Sequence, residues 1–399
     1  MPSWFPWMTL ALWAVVVALA ARARGRPFAT FAGVILGIHS LLALEMAPAF
    51  ARIAPVFVAL HVAVYVNFLM LARPRMRPLS YRLLVSWPGS FFAAGTLLSL
   101  PWALARAAGF APWGLWVPYA LAAVGLLQSM RAGEEEIDLV IDGAAVRSPQ
   151  PRPHPRGQAR EARPLRIVQI SDPHLGPFMS VARLRRIAAA AVAKNPDLIC
   201  LTGDFLTMES QSDPELLRRA LEPLARMPGR VFACHGNHDL EAPQTVRRAL
   251  DANGVRLLID DAEVVQTGAG PVQVVGMDFV WRDRASHLRS VCAAHPRLPG
   301  TTRLVLLHDP GAFKHLPEGE ADLVLSGHTH GGQVGLLSLG LSWTFLRLFG
   351  LTIPDHGFWA RGRDRMYVHR GTGHYGFPLR IGVPSEESVL HVHRQSGLV

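Results

Sequence analysis

Lysine is the first shortage: Lys194 and Lys314 are the only two in 399 residues, so arginine carries nearly all the positive charge. Acid is as scarce at the N-terminal end. Up to Met130 the only carboxylate is Glu45, against nine arginines: Arg22, Arg24, Arg26, Arg52, Arg73, Arg75, Arg77, Arg82 and Arg106. That is +8 of the chain's +10, which leaves +2 for residues 131–399. The basic balance therefore sits in short loops between apolar segments. A nucleic-acid surface needs basic residues clustered on one folded face, so no nucleic-acid partner is expected. The three cysteines, Cys200, Cys234 and Cys292, are odd in number and lack framework spacing. This argues against a disulfide-built domain and fits a reducing compartment. No G-x-S-x-G follows a strand-like run, so nucleophilic serine chemistry is not indicated.

Apolar residues make up 50% of the chain, high for one soluble globule. A spanning helix needs ~20 apolar residues to cross a ~30 Å core. Charges bracket five such segments: Met1–Ala21, Pro27–Leu44, Ile53–Ala72, Leu83–Ala105 and Ala107–Met130. Trp4, Trp7, Trp113, Trp116 and Tyr119 sit near segment ends, as aromatic belts do. The arginine-rich loops "RARGR" and "RPRMRPLSYR" follow the first and third segments. Arginine-rich short loops stay inside, so the N-terminus is expected outside and everything after the fifth segment in the cytoplasm. The expected location is the inner membrane, multi-pass. His39 and His61 in these spans, and Glu45 at a span end, read as ordinary packed polar groups.

Residues 131–164 read as a linker in which "AGEEEIDLVIDG" is a short strand after an acidic turn, followed by a Pro/Arg/Gly-rich stretch. Strand-like and helix-like runs then alternate through residues 165–399. The expected organisation is a transmembrane helical bundle over 1–130, the linker, and an α/β sandwich with sheets inside and helices outside.

Polar residues fall where the strands end. "LRIVQI" runs into Ser171-Asp172-Pro173-His174, and "DLICLT" into Gly203-Asp204. "RVFAC" is followed by Gly236-Asn237-His238-Asp239, "RLVLL" by His308-Asp309, and "ADLVLS" by Gly327-His328-Thr329-His330. Ligands of open α/β folds bind at the carboxyl ends of strands. Burying several carboxylates and imidazoles together is costly unless a cation pairs them. Nitrogen and oxygen donors without thiolate suit Mn, Fe, Zn or similar ions. The donors are too many for one ion; two ions roughly 3.5–4 Å apart would use them, an arrangement suited to phosphoryl displacement. The glycines at these exits are expected to permit tight turns.

Taken in order, "ISDPHLG", "LTGDF", "HGNHD", "LLHDP" and "SGHTHGGQ" resemble the calcineurin-like metallophosphoesterases, membrane-anchored bacterial branch, over about residues 165–394. The resemblance implies two central mixed β-sheets flanked by helices. It places Asp172, His174 and His330 on a first divalent ion and Asn237, His308 and His328 on a second. Asp204 would bridge them. His238 would face the substrate and protonate the leaving oxygen, and Asp239 would orient it. The implied activity is hydrolysis of a phosphodiester or pyrophosphate bond by a metal-bridging hydroxide, on a lipid-linked substrate presented at the bilayer. Alternatives are a phosphomonoesterase and a non-catalytic metal- or nucleotide-binding membrane sensor.

Outside those motifs, His374 and Arg380 in "GTGHYGFPLR" are substrate-contact candidates, because glycine-rich loops cradle phosphate. The apolar run 334–351 has two readings. It is either core beneath the site, or an exposed lip in which Trp343, Phe345, Leu346 and Phe349 meet lipid with Arg347 at the headgroups.

Overall fold

The computed structural model describes residues 1–73, 75–141, 146–152, 163–348, 350–374 and 376–394. Its N-terminal part is helical: α1 (Phe5–Arg24), α2 (Arg26–Met46), α3 (Ala54–Leu71), α4 (Trp87–Leu98), α5 (Leu100–Ala107) and α6 (Val117–Ser129). Among the described residues, Phe5–Arg24 and the stretch Arg26–Leu71 are long and apolar enough to cross a membrane. The second stretch folds back on itself through Ala47–Ile53, where Phe50 leaves helical geometry. As a result His39 Nε2 on α2 lies 3.2 Å from His61 Nδ1 on α3.

The fourth apolar segment is broken. Helical Leu79–Leu98 and α5 bend by 52° at Ser99, next to Pro101, which has no N–H to continue the ladder. The fifth contributes only the 13 residues of α6, about 20 Å at 1.5 Å per residue. Buried Leu36, Phe57, Val64, Phe92 and Ala93 pack the helices together.

Two sheets follow. One has the order β1 (Ala132–Ile141), β13 (Ser385–Arg394), β3 (Leu165–Ile170), β4 (Leu198–Leu201), β5 (Val231–Ala233), β6 (Arg256–Leu257). The other runs β2 (Val146–Arg152), β11 (Gly357–Gly362), β12 (Asp364–Val368), β10 (Leu323–Ser326), β9 (Thr302–Leu306), β8 (Gly270–Gly276), β7 (Asp261–Thr267). The region read as a linker thus supplies an edge strand to each sheet. Inner-face residues Leu139, Ile167, Phe232, Val274, Leu306 and Leu325 form the core between the sheets. Helices α7 (Val181–Ala193), α8 (Pro214–Leu221) and α9 (Pro243–Asp251) cover one outer face, and α10 (Arg284–Ala294) the other. The expected sandwich, with mixed sheets flanked by helices, is the observed one.

Strands β3, β4 and β5 run parallel, as do β9 and β10. Their carboxyl ends therefore open on one rim. The helical part packs on the loops beside that rim. The Arg380 N–H donates to Gly125 O on α6 at 3.1 Å, and Trp87 Nε1 on α4 donates to Pro177 O at 3.2 Å.

Candidate dimetal centre

The rim gathers Asp172, His174, Asp204, Asn237, His308, His328 and His330. Five of them hold positive φ without being glycine: Asp172 (50°), His174 (43°), Asp204 (56°), His328 (70°) and His330 (51°). Such backbone is strained, by roughly 1–3 kcal/mol per residue, and collects at functional sites because the surroundings force it. Here the forcing contacts are visible. The Asp172 N–H donates to Gly203 O at 3.0 Å and the His174 N–H to Asp204 O at 3.2 Å. The Asp239 carboxylate accepts from the N–H groups of Asp204 (2.7 Å), Gly236 (2.7 Å) and Phe205 (2.9 Å).

The glycines at the strand exits act by leaving room. A Cβ on Gly327 would strike Ser171 Oγ and the Asp172 carboxylate, and one on Gly236 would strike the Asp204 carboxylate. Of the three, only Gly203 (φ 87°) also needs glycine for its backbone conformation.

Side-chain donors fall into two groups, Asp172–His174–His330 and Asp204–His308–His328, each with ligand atoms within 4.8 Å of one another. The carboxylates and imidazoles named for the two ions thus lie together in two sets, and Asn237 precedes His238 on the adjoining loop. Within the first, His174 Nε2 and His330 Nε2 are 3.2 Å apart and His330 Nε2 is 3.5 Å from Asp172 Oδ1. Asp204 reaches both groups: its Oδ2 is 3.7 Å from His174 Nε2 and 3.3 Å from His308 Nε2. Its Oδ1 is held separately, by the His238 N–H at 2.9 Å.

These residues fit a cation pair on their own chemistry. Asn237 Oδ1 is buried and has no hydrogen-bond partner among the described residues. His308 Nδ1 lies 2.6 Å from Thr202 O; donating there leaves Nε2 as a ligand lone pair. Electrostatics agree. Burial depresses His174 to about 3 and His328 to about 4, and holds His330 well below the usual imidazole range. Burial raises Asp172 to about 7. Burial would raise Asp204 too, but His308 and His174 outweigh it and keep the carboxyl ionised. His308 differs: burial lowers it, but the Asp204 and Asp172 carboxylates raise it to about 10, so an ion bound there would take the place of its proton, while His174, His328 and His330 already offer neutral nitrogen beside the ionised Asp204.

Two assignments change. Asp239 does not hold the His238 ring, because its two oxygens serve backbone N–H groups. The carboxylate against His238 Nδ1 is Glu241, at 3.0 Å. Nor is Arg380 placed for substrate. It is 0% exposed, and its Nη2 lies 3.1 Å from His330 Nδ1 while donating to Arg370 O (2.7 Å) and Gly373 O (2.5 Å). It braces the loop behind His330. His374 is buried and packs on Phe178, with ring centroids 5.1 Å apart.

Sequence reasoning missed Glu241, although it stands three residues after His238 in one short helical turn. It also missed Phe279 and Trp281, whose rings meet at 4.7 Å beside His328.

The apolar run is a surface lip. Leu339 is 74% exposed and Trp343 49%, and Leu336, Leu341, Phe345, Leu348 and Leu351 are exposed with them. Leu346 is half-buried, and Phe349 lies outside the described residues. Arg347 is held by Asp355 at 2.9 Å. The lip sits beside the end of α6, where Gln128 Nε2 donates to Ser338 Oγ at 3.0 Å.

The sequence profile of the calcineurin-like phosphoesterases matches residues 165–332. The chain belongs to this family. Phosphodiesterase YaeI of Escherichia coli is 29% identical over 240 residues, 58% of this chain and 83% of that protein. The Danio rerio transmembrane protein with metallophosphoesterase domain is 30% identical over 238 residues, 56% of this chain and 52% of its own length. UDP-2,3-diacylglucosamine pyrophosphatase LpxG of Chlamydia trachomatis is 26% identical over 260 residues, 52% and 78% respectively. This chain is accordingly a metal-dependent phosphoesterase, with its calcineurin-like phosphoesterase domain behind apolar N-terminal helices.

Proposed function

We propose that this phosphoesterase is a multi-pass membrane enzyme that cleaves a phosphodiester or pyrophosphate bond of a lipid-linked substrate at the cytoplasmic surface. One observation carries the reading: the two donor groups open on the same rim where the apolar helices and the exposed lip lie. The names of two relatives, a phosphodiesterase and a diacylglucosamine pyrophosphatase, favour it.

Asp172, His174 and His330 would hold one ion and Asn237, His308 and His328 the other, with Asp204 shared. Bound there, the ions would supply activated water and positive charge for the phosphoryl oxygens. The chain's own residues do the rest. Asp204 Oδ1 is fixed by the His238 N–H, which leaves Oδ2 between the groups. His238 is half-buried, with its ring 5.7 Å from that of His174, and it delivers a proton to the leaving oxygen. Glu241 holds the ring and favours its cationic form: burial lowers His238, but the carboxylates of Glu241 and Asp204 raise it above its ordinary value.

Orientation follows from where the arginine-rich loops go. Arg24 lies 3.6 Å from Glu241, and Arg82 Nη1 donates to Pro177 O at 3.5 Å. Both loops are thus on the catalytic side, which the positive-inside rule makes cytoplasmic. We place the membrane part at residues 1–130 and the phosphoesterase domain at 165–399, extended by the strands at 132–152.

The test is turnover of a nitrophenyl phosphodiester by the full chain with Mn²⁺. Asp204→Asn should abolish it, and His238→Ala should lower turnover of a matching dialkyl phosphodiester, whose leaving group needs a proton, about 10²–10⁴-fold. Variants as active as wild type would refute the assignment. A C-terminal reporter active only in the periplasm would refute the orientation.

A further inference from the structure

A cavity of about 260 Å³ lies between the helical part and the metal-side loops. Ile35 of α2 and Phe68 and Leu71 of α3 form one wall, Phe178 and Phe377 the other, and His174 closes one end. We propose that this cavity receives one hydrocarbon chain of the substrate, so that a phosphate at His174 stays connected to the bilayer by its own lipid tail. This rests on the hydrolase reading above and adds the site of the tail to it.

Three observations select a hydrocarbon occupant. The surface the lining presents is mostly apolar, although Asn67, Ser86, Ser90 and Thr207 are among the lining residues, and its one carboxylate, Glu209, already accepts from Thr207 Oγ1 at 2.7 Å. A nucleotide or sugar would give up most of its hydration against this largely apolar surface, at several kcal/mol, whereas a methylene chain loses nothing. The volume is close to the lower end of ligand pockets, ~300–1,000 Å³, and suits one chain rather than a headgroup. Finally, α2 and α3 belong to the stretch apolar enough to cross a membrane, so the cavity joins the donor set to the level where lipid tails lie.

The walls are tied together. Arg24 Nη1 donates to Leu71 O at 3.3 Å and lies 3.2 Å from Met208 Sδ. The Trp87 ring stacks on Phe178 at 5.8 Å.

The experiment uses the full chain in nanodiscs with Mn²⁺ and a series of nitrophenyl alkyl phosphodiesters of increasing chain length. Wild type is compared with Ile35→Trp and Ser90→Trp, which place an indole in the cavity from two different helices. Each burial of a methylene contributes about 0.8 kcal/mol, roughly a threefold to fourfold rise in kcat/KM per carbon. Partitioning into the bilayer acts on all three proteins alike, so the difference in slope reads the cavity. Each protein's long-chain rate is divided by its own short-chain rate, which removes losses from misfolding. A steep rise in wild type that flattens in both variants is expected. Equal slopes in all three proteins would overturn the cavity assignment while leaving hydrolysis intact. No turnover of any ester by wild type would overturn the hydrolase reading itself.

Discussion

Asp239 Oδ2 accepts the backbone N–H of Asp204 at 2.7 Å and of Gly236 at the same distance. One buried carboxylate thus sets the conformation of the residue that reaches both donor groups. Asp239→Asn replaces one of the two acceptor oxygens with an NH2 group that cannot accept, facing backbone N–H donors that remain. Mn²⁺ affinity should fall about 10–100-fold, the usual cost of losing a partner behind the ligands. Titration of metal-stripped protein by calorimetry checks this; unchanged affinity would show that the Asp204 loop holds itself.

Glu241 predicts a pattern rather than a simple loss. If it orients His238 as proton donor, Glu241→Gln should slow an alkyl leaving group far more than nitrophenolate, which departs without a proton. Paired kcat measurements on the two ester types decide it. Equal slowing of both would make Glu241 a structural residue.

The candidate donor positions were legible because each is a short polar motif closing a buried apolar strand. Partners that lie across the fold were not. Arg380 was read as a substrate contact because a glycine loop surrounds it, yet burial turns its guanidinium inward toward His330. The strained backbone at Asp172 and His328 leaves no mark on residue identity. The cavity is assembled from Ile35, Phe68 and Phe178, and no local pattern joins them. Composition also could not separate core from lip at Trp343, since apolarity does not report exposure. The break at Ser99 did have a signal in Pro101, which the apolar run around it masked.

Glu386 gives a pH signature away from the donors. Its carboxylate accepts from Arg370 Nε at 3.1 Å and from the Tyr367 hydroxyl. Burial alone would raise it, but His369 and Arg370 bring it down to about 2. A carboxyl depressed below its unfolded value of ~4.3 stabilises the fold above that pH and loses the contribution as pH falls toward 2. Glu386→Gln should cost about 3–5 kcal/mol near neutral pH, the penalty of breaking a buried pair. The gap to wild type should close between pH ~4.3 and 2. Thermal unfolding in mild detergent across that range measures it; a gap independent of pH would contradict the assignment.

The lip predicts contact with lipid. Trp343 fluorescence, taken as the difference between wild type and Trp343→Phe in nanodiscs, should be quenched by brominated acyl chains. Quenching only by aqueous iodide would place the lip in water.

The central claim is that seven residues hold two ions through a shared Asp204. Electron paramagnetic resonance of the Mn²⁺-loaded full chain tests it most directly. Two manganese ions per chain are expected, with the spectrum of a spin-coupled pair that collapses to that of isolated ions in Asp204→Asn. A single uncoupled ion per wild-type chain, or a coupled spectrum that survives Asp204→Asn, would contradict it.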